Sequence, residues 1–187
     1  KNCYEWAESY LAVVGGTGVV VPLDKELNEE ELSQLTTSGE LSAVITMDKH
    51  YDIFKRIKER DDNALEFVIN AGMHSHENAD KGLLSWHKLR EHGYELVKAG
   101  DKSFIDAEII NTDMAIILFT SGTTGTAKGV MLNNKNICSN VMVAQTSLNI
   151  EVGDIFFSVL PIHHTYECTC TFIESMYCGA KMAFCQG

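Results

Sequence analysis

A segment at residues 120–129 places small hydroxyl side chains, glycines and one lysine between two apolar runs. The hydroxyl residues are Thr120, Ser121, Thr123, Thr124 and Thr126, the glycines are Gly122, Gly125 and Gly129, and the cation is Lys128. Glycine lets the backbone approach a ligand closely, and successive loop N–H groups can form an anion-binding concavity. Lysine adds a flexible ammonium group. The segment therefore predicts a polyphosphate-binding loop, although composition alone leaves open a Gly/Thr-rich hairpin between two strands.

A histidine pair, His163 and His164, follows an apolar run and precedes Tyr166. Taken alone, such a pair after a predicted strand more often packs or lies at the surface than acts in a site. A second pair, His74 and His76, lies in a polar stretch with no evident third ligand, and the six cysteines lack the paired spacing of a zinc site. From the sequence we therefore predict no metal-binding site.

The order of the residues around Lys128 resembles the phosphate-loop signature of the adenylate-forming superfamily, which contains acyl-coenzyme A synthetases, luciferases and peptide-synthetase adenylation domains. That signature reads Thr-Ser-Gly-[Ser/Thr]-Thr-Gly-x-Pro-Lys-Gly-Val, and the chain matches it from Thr120 to Val130 except that Ala127 replaces proline. The P-loop of common NTPases differs, because it requires Gly-x-x-x-x-Gly-Lys-[Ser/Thr]. Losing the proline should loosen the turn, since proline fixes one φ angle, but it removes no hydrogen-bond donor.

The resemblance implies ATP-dependent carboxylate activation. An acyl-adenylate forms with release of pyrophosphate, and coenzyme A then takes the acyl group as a thioester. ATP, Mg²⁺ and coenzyme A are the implied cofactors, so the expected partners are small molecules. Lys128 and Thr124 are the implied catalytic residues. The implied ATP-binding residues are Thr120, Ser121, Gly122, Thr123, Thr124, Gly125, Lys128 and Gly129.

The run from Pro161 to Glu167 resembles the family's next motif. In that motif the second histidine, and an aromatic residue two positions later, border the carboxylate and acyl pocket, which implies His164 and Tyr166 as substrate-binding residues. The His-His-Thr-Tyr-Glu sequence is similar to that of bacterial long-chain fatty-acyl-coenzyme A ligases, so a fatty acid is the preferred substrate. Three alternatives stay open: an adenylate-forming ligase for aryl or amino acids, another nucleotide-binding enzyme such as a phosphotransferase, and a non-catalytic nucleotide-binding fragment.

Strand-like and helix-like segments alternate along the chain, which is typical of an α/β fold with a parallel sheet. Local signals predict helices that begin near Cys3, at a capping box formed by Asn28 and Glu31, at Ser85, and at Asn133 or Asn134. Strands are predicted at 18–23, 41–47, 65–70, 114–119, 130–132, 154–160 and 181–184. We expect a three-layer, mostly parallel sheet with helices on both faces, as a subdomain of the large N-terminal domain of adenylate-forming enzymes.

The charge and cysteine content narrow the classes of protein to consider. The net charge of −11 argues against a nucleic-acid binder, because such surfaces carry excess lysine and arginine. No apolar run reaches the ~18 residues of a membrane-spanning helix. Cysteines without a disulfide pattern indicate a reducing compartment. A cytoplasmic location is expected, with peripheral membrane association of the parent enzyme left open.

Several motifs of the resembled family are absent from residues 1–187. They are the adenine-binding and ribose-binding motifs, the hinge and the C-terminal lysine of the adenylation step, all expected beyond Gly187. The sequence is therefore expected to be a single α/β subdomain truncated at both ends, with its phosphate loop at 119–130. Alone, it should be inactive and bind ATP weakly, and its uncovered apolar surface favours self-association.

Overall fold

The computed structural model describes residues 2–72, 77–120 and 128–185. Its strands are β1 (Ala43–Thr46), β2 (Phe67–Asn70), β3 (Leu83–Ser85), β4 (Met114–Thr120), β5 (Lys128–Asn133), β6 (Ile155–Ser158) and β7 (Lys181–Phe184). Its α-helices are α1 (Tyr4–Ala12), α2 (Glu29–Ser38), α3 (Asp48–Lys58), α4 (Trp86–Lys98), α5 (Asn134–Ser147), α6 (Thr165–Glu167) and α7 (Glu174–Tyr177). After α1, the segment Val13–Thr17 is kinked at Gly16, whose φ of 115° is not helical. A π-helical segment at Cys168–Ile173 joins α6 to α7, and a 3-10 turn covers Ala79–Lys81.

The chain divides into two compact units, the first from Lys1–Lys25 with Ala107–Gly187 and the second from Glu26–Asp106. In the second unit, β1, β2 and β3 form a parallel sheet in chain order. Val68 on the central strand is fully buried, and α3 packs against β1 and β2. The predicted α/β class, with parallel strands and flanking helices, is confirmed.

Local sequence signals explain where the helices of the second unit begin. Asn28 Oδ1 accepts a hydrogen bond from Glu31 N at 3.0 Å, and Asn28 N donates to Glu31 Oε2 at 2.9 Å, so the predicted capping box that starts α2 is confirmed. Ser85 caps α4 through Lys88 N, also as predicted. In α3, the buried residues are Tyr51, Phe54 and Ile57, spaced three apart as a helical face requires.

The first unit contains two strand pairs. β4 and β5 form an antiparallel hairpin, whereas β6 and β7 are parallel. The strand predicted at 18–23 is reduced to one parallel bridge, in which Val20 N donates to Ala115 O and Ile117 N donates to Val20 O. The prediction of a full strand there was wrong, because Pro22 has no N–H to continue the ladder.

The core of the first unit forms where α1, β4, α5 and the helical region after residue 164 meet. Its buried members are Ala7, Tyr10, Ala115, Ile116, Ile137, Val141, Ile162, Cys168 and Phe172. The Tyr10 ring stacks on Trp6 with centroids 5.2 Å apart and meets Phe172 edge-on at 5.8 Å. These contacts hold the segment after the histidine pair against the rest of the unit.

The six cysteines are free thiols, of which Cys168 is buried and Cys138 and Cys185 are exposed. Among residues 2–72, 77–120 and 128–185, every helix is too short or too polar to cross a membrane.

Candidate active site

The end of the β4–β5 hairpin carries the two residues that border the predicted phosphate loop. Thr120 lies opposite Lys128 in the strand register, and the Thr120 hydroxyl donates a long hydrogen bond of 3.4 Å to the Lys128 carbonyl oxygen. Ala115 and Ile116 anchor β4 in the core, whereas Thr120 and Lys128 are exposed. Strand pairing therefore places a hydroxyl-bearing and an ammonium-bearing residue directly opposite each other at the exposed end of the two strands.

The predicted loop is only partly covered by the structure. Thr120, Lys128 and Gly129 are brought together at the hairpin end. Ser121, Gly122, Thr123, Thr124 and Gly125 lie outside the described residues, so their predicted roles stay predictions.

Gly129 has a packing role that the sequence did not reveal. A Cβ atom added to Gly129 would lie 3.0 Å from Ile117 Cγ2 and 3.5 Å from the Phe119 ring. Such a contact is tighter than ordinary van der Waals distance, so a larger side chain would require the Ile117 side chain to shift by a few tenths of an ångström. Glycine at this position therefore lets β5 pack closely against Ile117 next to Lys128.

The segment before the histidine pair is held by the amide of Asn2. Asn2 Nδ2 donates to Ser158 Oγ at 2.8 Å and to Leu160 O at 2.6 Å, and Ile162 N donates to Asn2 Oδ1 at 3.0 Å. Ile162 is only 2% exposed and belongs to the core. His164 N closes a turn by donating to Pro161 O at 3.0 Å. The backbone that carries both histidines is thus fixed from two sides.

The two histidine side chains have different surroundings. The rings lie 4.4 Å apart, centroid to centroid. The side chain of His163 is largely buried, and its Nε2 lies 3.5 Å from Asp24 Oδ2. Burial lowers the pKa of His163, an effect that Asp24 partly offsets and His164 reinforces. His164 itself is exposed, whereas His163 is only partly exposed, so His164 is the more accessible of the two to a ligand from solvent.

Tyr166, the second predicted substrate-binding residue, lies on α6 with 67% of its surface exposed. His164 and Tyr166 are brought to the same short segment. Among the described residues, no hydrogen bond or ion pair joins this segment to Lys128 or Thr120. The structure therefore places the predicted residues in two exposed groups within the first unit.

Comparison with known proteins decides the family. A sequence profile described as AMP-binding enzyme matches residues 1–187. The chain belongs to the AMP-binding enzyme family. This confirms the resemblance to adenylate-forming enzymes that the phosphate-loop segment indicated.

Two relatives and one solved structure match between 91% and 100% of this chain. A long-chain-fatty-acid–CoA ligase 1 from Cavia porcellus is 30% identical over 100% of this chain and 28% of its own length. A crotonobetaine/carnitine–CoA ligase from Salmonella typhimurium is 24% identical over 91% of this chain and 31% of its own length. The crystal structure of ATP-bound MatB from Rhodopseudomonas palustris aligns with a TM-score of 0.72 and 26% identity, over 98% of this chain and 33% of that one. The chain thus spans about a third or less of the length of these proteins.

Two residues of this AMP-binding chain escaped the sequence analysis, Asn2 and Asp24. Each acts on the histidine segment from a distant part of the sequence, and neither lies in a motif. The only available signal for Asp24 was its position directly after the apolar run that ends at Leu23. Such contacts depend on tertiary structure, which periodicity and motifs do not encode.

Proposed function

We propose that this chain forms part of an ATP-dependent acyl-coenzyme A synthetase. The parent enzyme joins a carboxylate to AMP with release of pyrophosphate and transfers the acyl group to the thiol of coenzyme A. The observation that carries the proposal is the pairing of Thr120 with Lys128 across the hairpin that bounds the phosphate-loop motif. This geometry supports anion binding, since paired Thr120 and Lys128 bring one hydroxyl-bearing and one ammonium-bearing residue to the exposed end of the hairpin.

The chemical difficulty of the first step is charge. An anionic carboxylate attacks the α-phosphorus of a polyanion, so the transition state and the leaving pyrophosphate need cationic and hydrogen-bonding partners. Lys128 is proposed to contact the terminal phosphates through its ammonium group, with Thr124 and the other loop residues as further donors. Mg²⁺ would accompany ATP and neutralise phosphate charge. Thr120 and Lys128 suit a phosphate group, whereas we assign no described residue to Mg²⁺ or to coenzyme A.

The carboxylate substrate is assigned to the histidine segment. His164 and Tyr166 are proposed to border its carboxylate and acyl group, and their exposure leaves them accessible. A fatty acid is the preferred substrate because of the His-His-Thr-Tyr-Glu sequence and the long-chain ligase among the relatives. Because the relatives named above differ in substrate, aryl and amino acids stay as alternatives.

The second candidate function is a nucleotide-binding fragment without catalysis. It is favoured for the 187 residues taken alone, because the motifs for adenine and ribose are missing from them. Loss of several contacts, each worth ~1 kcal/mol or more, multiplies into a large deficit in ATP affinity. Calorimetry of the 187-residue chain with Mg-ATP should therefore show no micromolar binding. Tight binding would instead support the hypothesis of a self-contained nucleotide-binding protein.

The experiment that tests the proposal is ATP–pyrophosphate exchange in the full-length protein that contains this sequence. The acids to compare are fatty acids of several chain lengths, aryl acids and amino acids, with a reaction lacking any acid as control. Exchange that depends on a fatty acid supports the full proposal. Exchange with an aryl or amino acid alone contradicts the substrate assignment but keeps the reaction class. Exchange with none of them contradicts both.

A further inference from the structure

Asp24, His163 and His164 converge beside the histidine segment, although Asp24 comes from a distant part of the chain. One potential ligand atom from each residue lies within 4.8 Å of the other two. These three residues form the one such group of three among residues 2–72, 77–120 and 128–185. Two imidazoles and a carboxylate are ligands that zinc and related divalent metals prefer.

The distance between His163 Nε2 and Asp24 Oδ2 distinguishes a shared metal from a simple hydrogen bond. An N–H···O hydrogen bond in proteins measures roughly 2.7–3.2 Å, whereas this pair is 3.5 Å apart. Two ligand atoms bound to one tetrahedral zinc, each at about 2.0–2.1 Å from it, lie about 3.3 Å apart. The distance between these two atoms is therefore closer to that between two ligands of one zinc ion than to the length of a hydrogen bond.

The burial of the His163 nitrogen supports the same interpretation. His163 Nε2 has almost no exposed surface and no hydrogen-bond partner among the described residues. A buried polar atom without a partner costs about 1–3 kcal/mol, and a metal ion is a partner that would remove this cost. The Asp24 carboxylate lies 3.5 Å from this nitrogen, so the nitrogen is near another of the candidate ligands.

We propose that Asp24, His163 and His164 form a binding site for a divalent transition metal ion of the zinc type. Three protein ligands leave a fourth position for water or an exogenous anion, which is the pattern of an open zinc site. The exposed His164 side provides the path of entry. This inference departs from the sequence-based expectation of no metal site and stands independently of the proposed ligase function.

Hydrogen bonds hold the backbone that carries the two histidines. Asn2 bonds to the backbone at Leu160 and Ile162, and the turn from Pro161 to His164 is closed by a hydrogen bond. These bonds define the backbone positions from which the two imidazoles extend. If the proposed function also holds, a bound metal would compete with the substrate for His164.

The test is a titration of the 187-residue chain with Co²⁺, followed by visible absorption, and then with Zn²⁺ in competition. One Co²⁺ per chain with the d–d bands of tetrahedral nitrogen and oxygen ligation is expected. A thiolate charge-transfer band would instead place the metal on cysteine and would contradict the proposal. Zn²⁺ should displace Co²⁺ and raise the midpoint of thermal unfolding, because a ligand that binds only the folded state stabilises it.

Three single variants, Asp24→Asn, His163→Gln and His164→Gln, test the ligand assignment. Each should weaken Co²⁺ and Zn²⁺ binding at least about 10-fold, since even losing an outer-shell partner typically costs 10–100-fold. Circular dichroism establishes that each variant is folded, and the near-isosteric Asp24→Asn change keeps the test decisive if a histidine variant fails to fold. Unchanged metal affinity in folded Asp24→Asn overturns the proposal.

Two control variants remove histidines elsewhere. The double variant His74→Ala/His76→Ala removes the other histidine pair of the sequence, and His92→Ala removes an exposed histidine on α4. Both should keep one metal ion per chain with unchanged affinity. Loss of binding in either control, or no binding by the unmodified chain, contradicts the proposed site.

Discussion

The side-chain oxygen of Asn2 accepts a hydrogen bond from the backbone N–H of Ile162, 160 positions later in the chain. The amide group of the same side chain donates to Leu160 O and Ser158 Oγ. A single side chain thus bonds to three residues of the segment that leads to the histidine pair.

We expect Asn2→Ala to lower the free energy of unfolding by roughly 1–3 kcal/mol, because three hydrogen bonds worth about 1 kcal/mol each are lost, partly to solvent. Urea unfolding of the 187-residue chain measures this. Asn140→Ala, at an exposed position on α5, is the matched control and should change stability by at most about 0.5 kcal/mol. Equal stabilities of the two variants would show that the Asn2 contacts contribute nothing.

Lys128→Ala should slow acid-dependent ATP–pyrophosphate exchange by roughly 10- to 150-fold in the full-length protein, because a charge-assisted hydrogen bond is worth ~1.5–3 kcal/mol. Lys135→Ala is the control, since Lys135 is exposed just after the same hairpin but lies outside the motif. Its exchange rate should equal that of the unmodified enzyme. If the two variants behave alike, Lys128 does not belong to the site.

The sequence was most informative where a signal is local. Asn28 and Ser85 cap helices as predicted because a cap involves only residues three positions apart. The prediction of a strand at 18–23 was wrong, because Pro22 lacks the N–H that would continue strand pairing along this β-branched run. The contact between Asp24 and His163 could not be predicted from the sequence, because it depends on the packing of two segments that are distant along the chain. A loop between two strands was predicted at the hairpin end, but the close packing of Gly129 on Ile117 could not be predicted, because it depends on the pairing of β4 with β5.

Glu174 is fully buried, and neither carboxylate oxygen has a hydrogen-bond partner among the described residues. Burial raises the pKa of Glu174 above its ordinary value of 4.5. The folded state therefore holds this proton more tightly than the unfolded state, so the contribution of Glu174 to stability falls as the pH rises from 4.5 through the folded-state pKa.

Glu174→Gln should accordingly raise the free energy of unfolding at pH 7 relative to the unmodified chain, because glutamine carries no charge to bury. The gain should shrink below pH 4.5, where Glu174 is itself protonated in both the folded and the unfolded state. Denaturant unfolding across this pH range measures the difference. Glu151→Gln, at an exposed position, should show no such dependence. A pH-independent effect of Glu174→Gln would mean that the carboxyl group is not desolvated.

The alternating residues Ile155, Phe157 and Val159 point to one side of β6 and its extension, and each is at least 58% exposed. Uncovered apolar side chains of this kind favour association, so the 187-residue chain should self-associate as its concentration rises. Phe157→Ser should reduce the average mass measured by light scattering, whereas Phe104→Ser, an exposed phenylalanine of the second unit, should not. A monomer throughout the concentration series would contradict this expectation.

The pairing of Thr120 with Lys128 means that folding and anion binding place different demands on the length of the segment between them. Strand pairing brings together Thr120 and Lys128, which flank the seven residues 121–127 in sequence, and the entropy of closing a flexible loop changes by only about 0.6 kcal/mol when its length doubles. Inserting a few residues there should leave the hairpin almost as stable as before. An anion, in contrast, needs its donors at fixed spacing. A change in the length of this segment is therefore expected to weaken anion binding while hardly changing the stability of the paired strands.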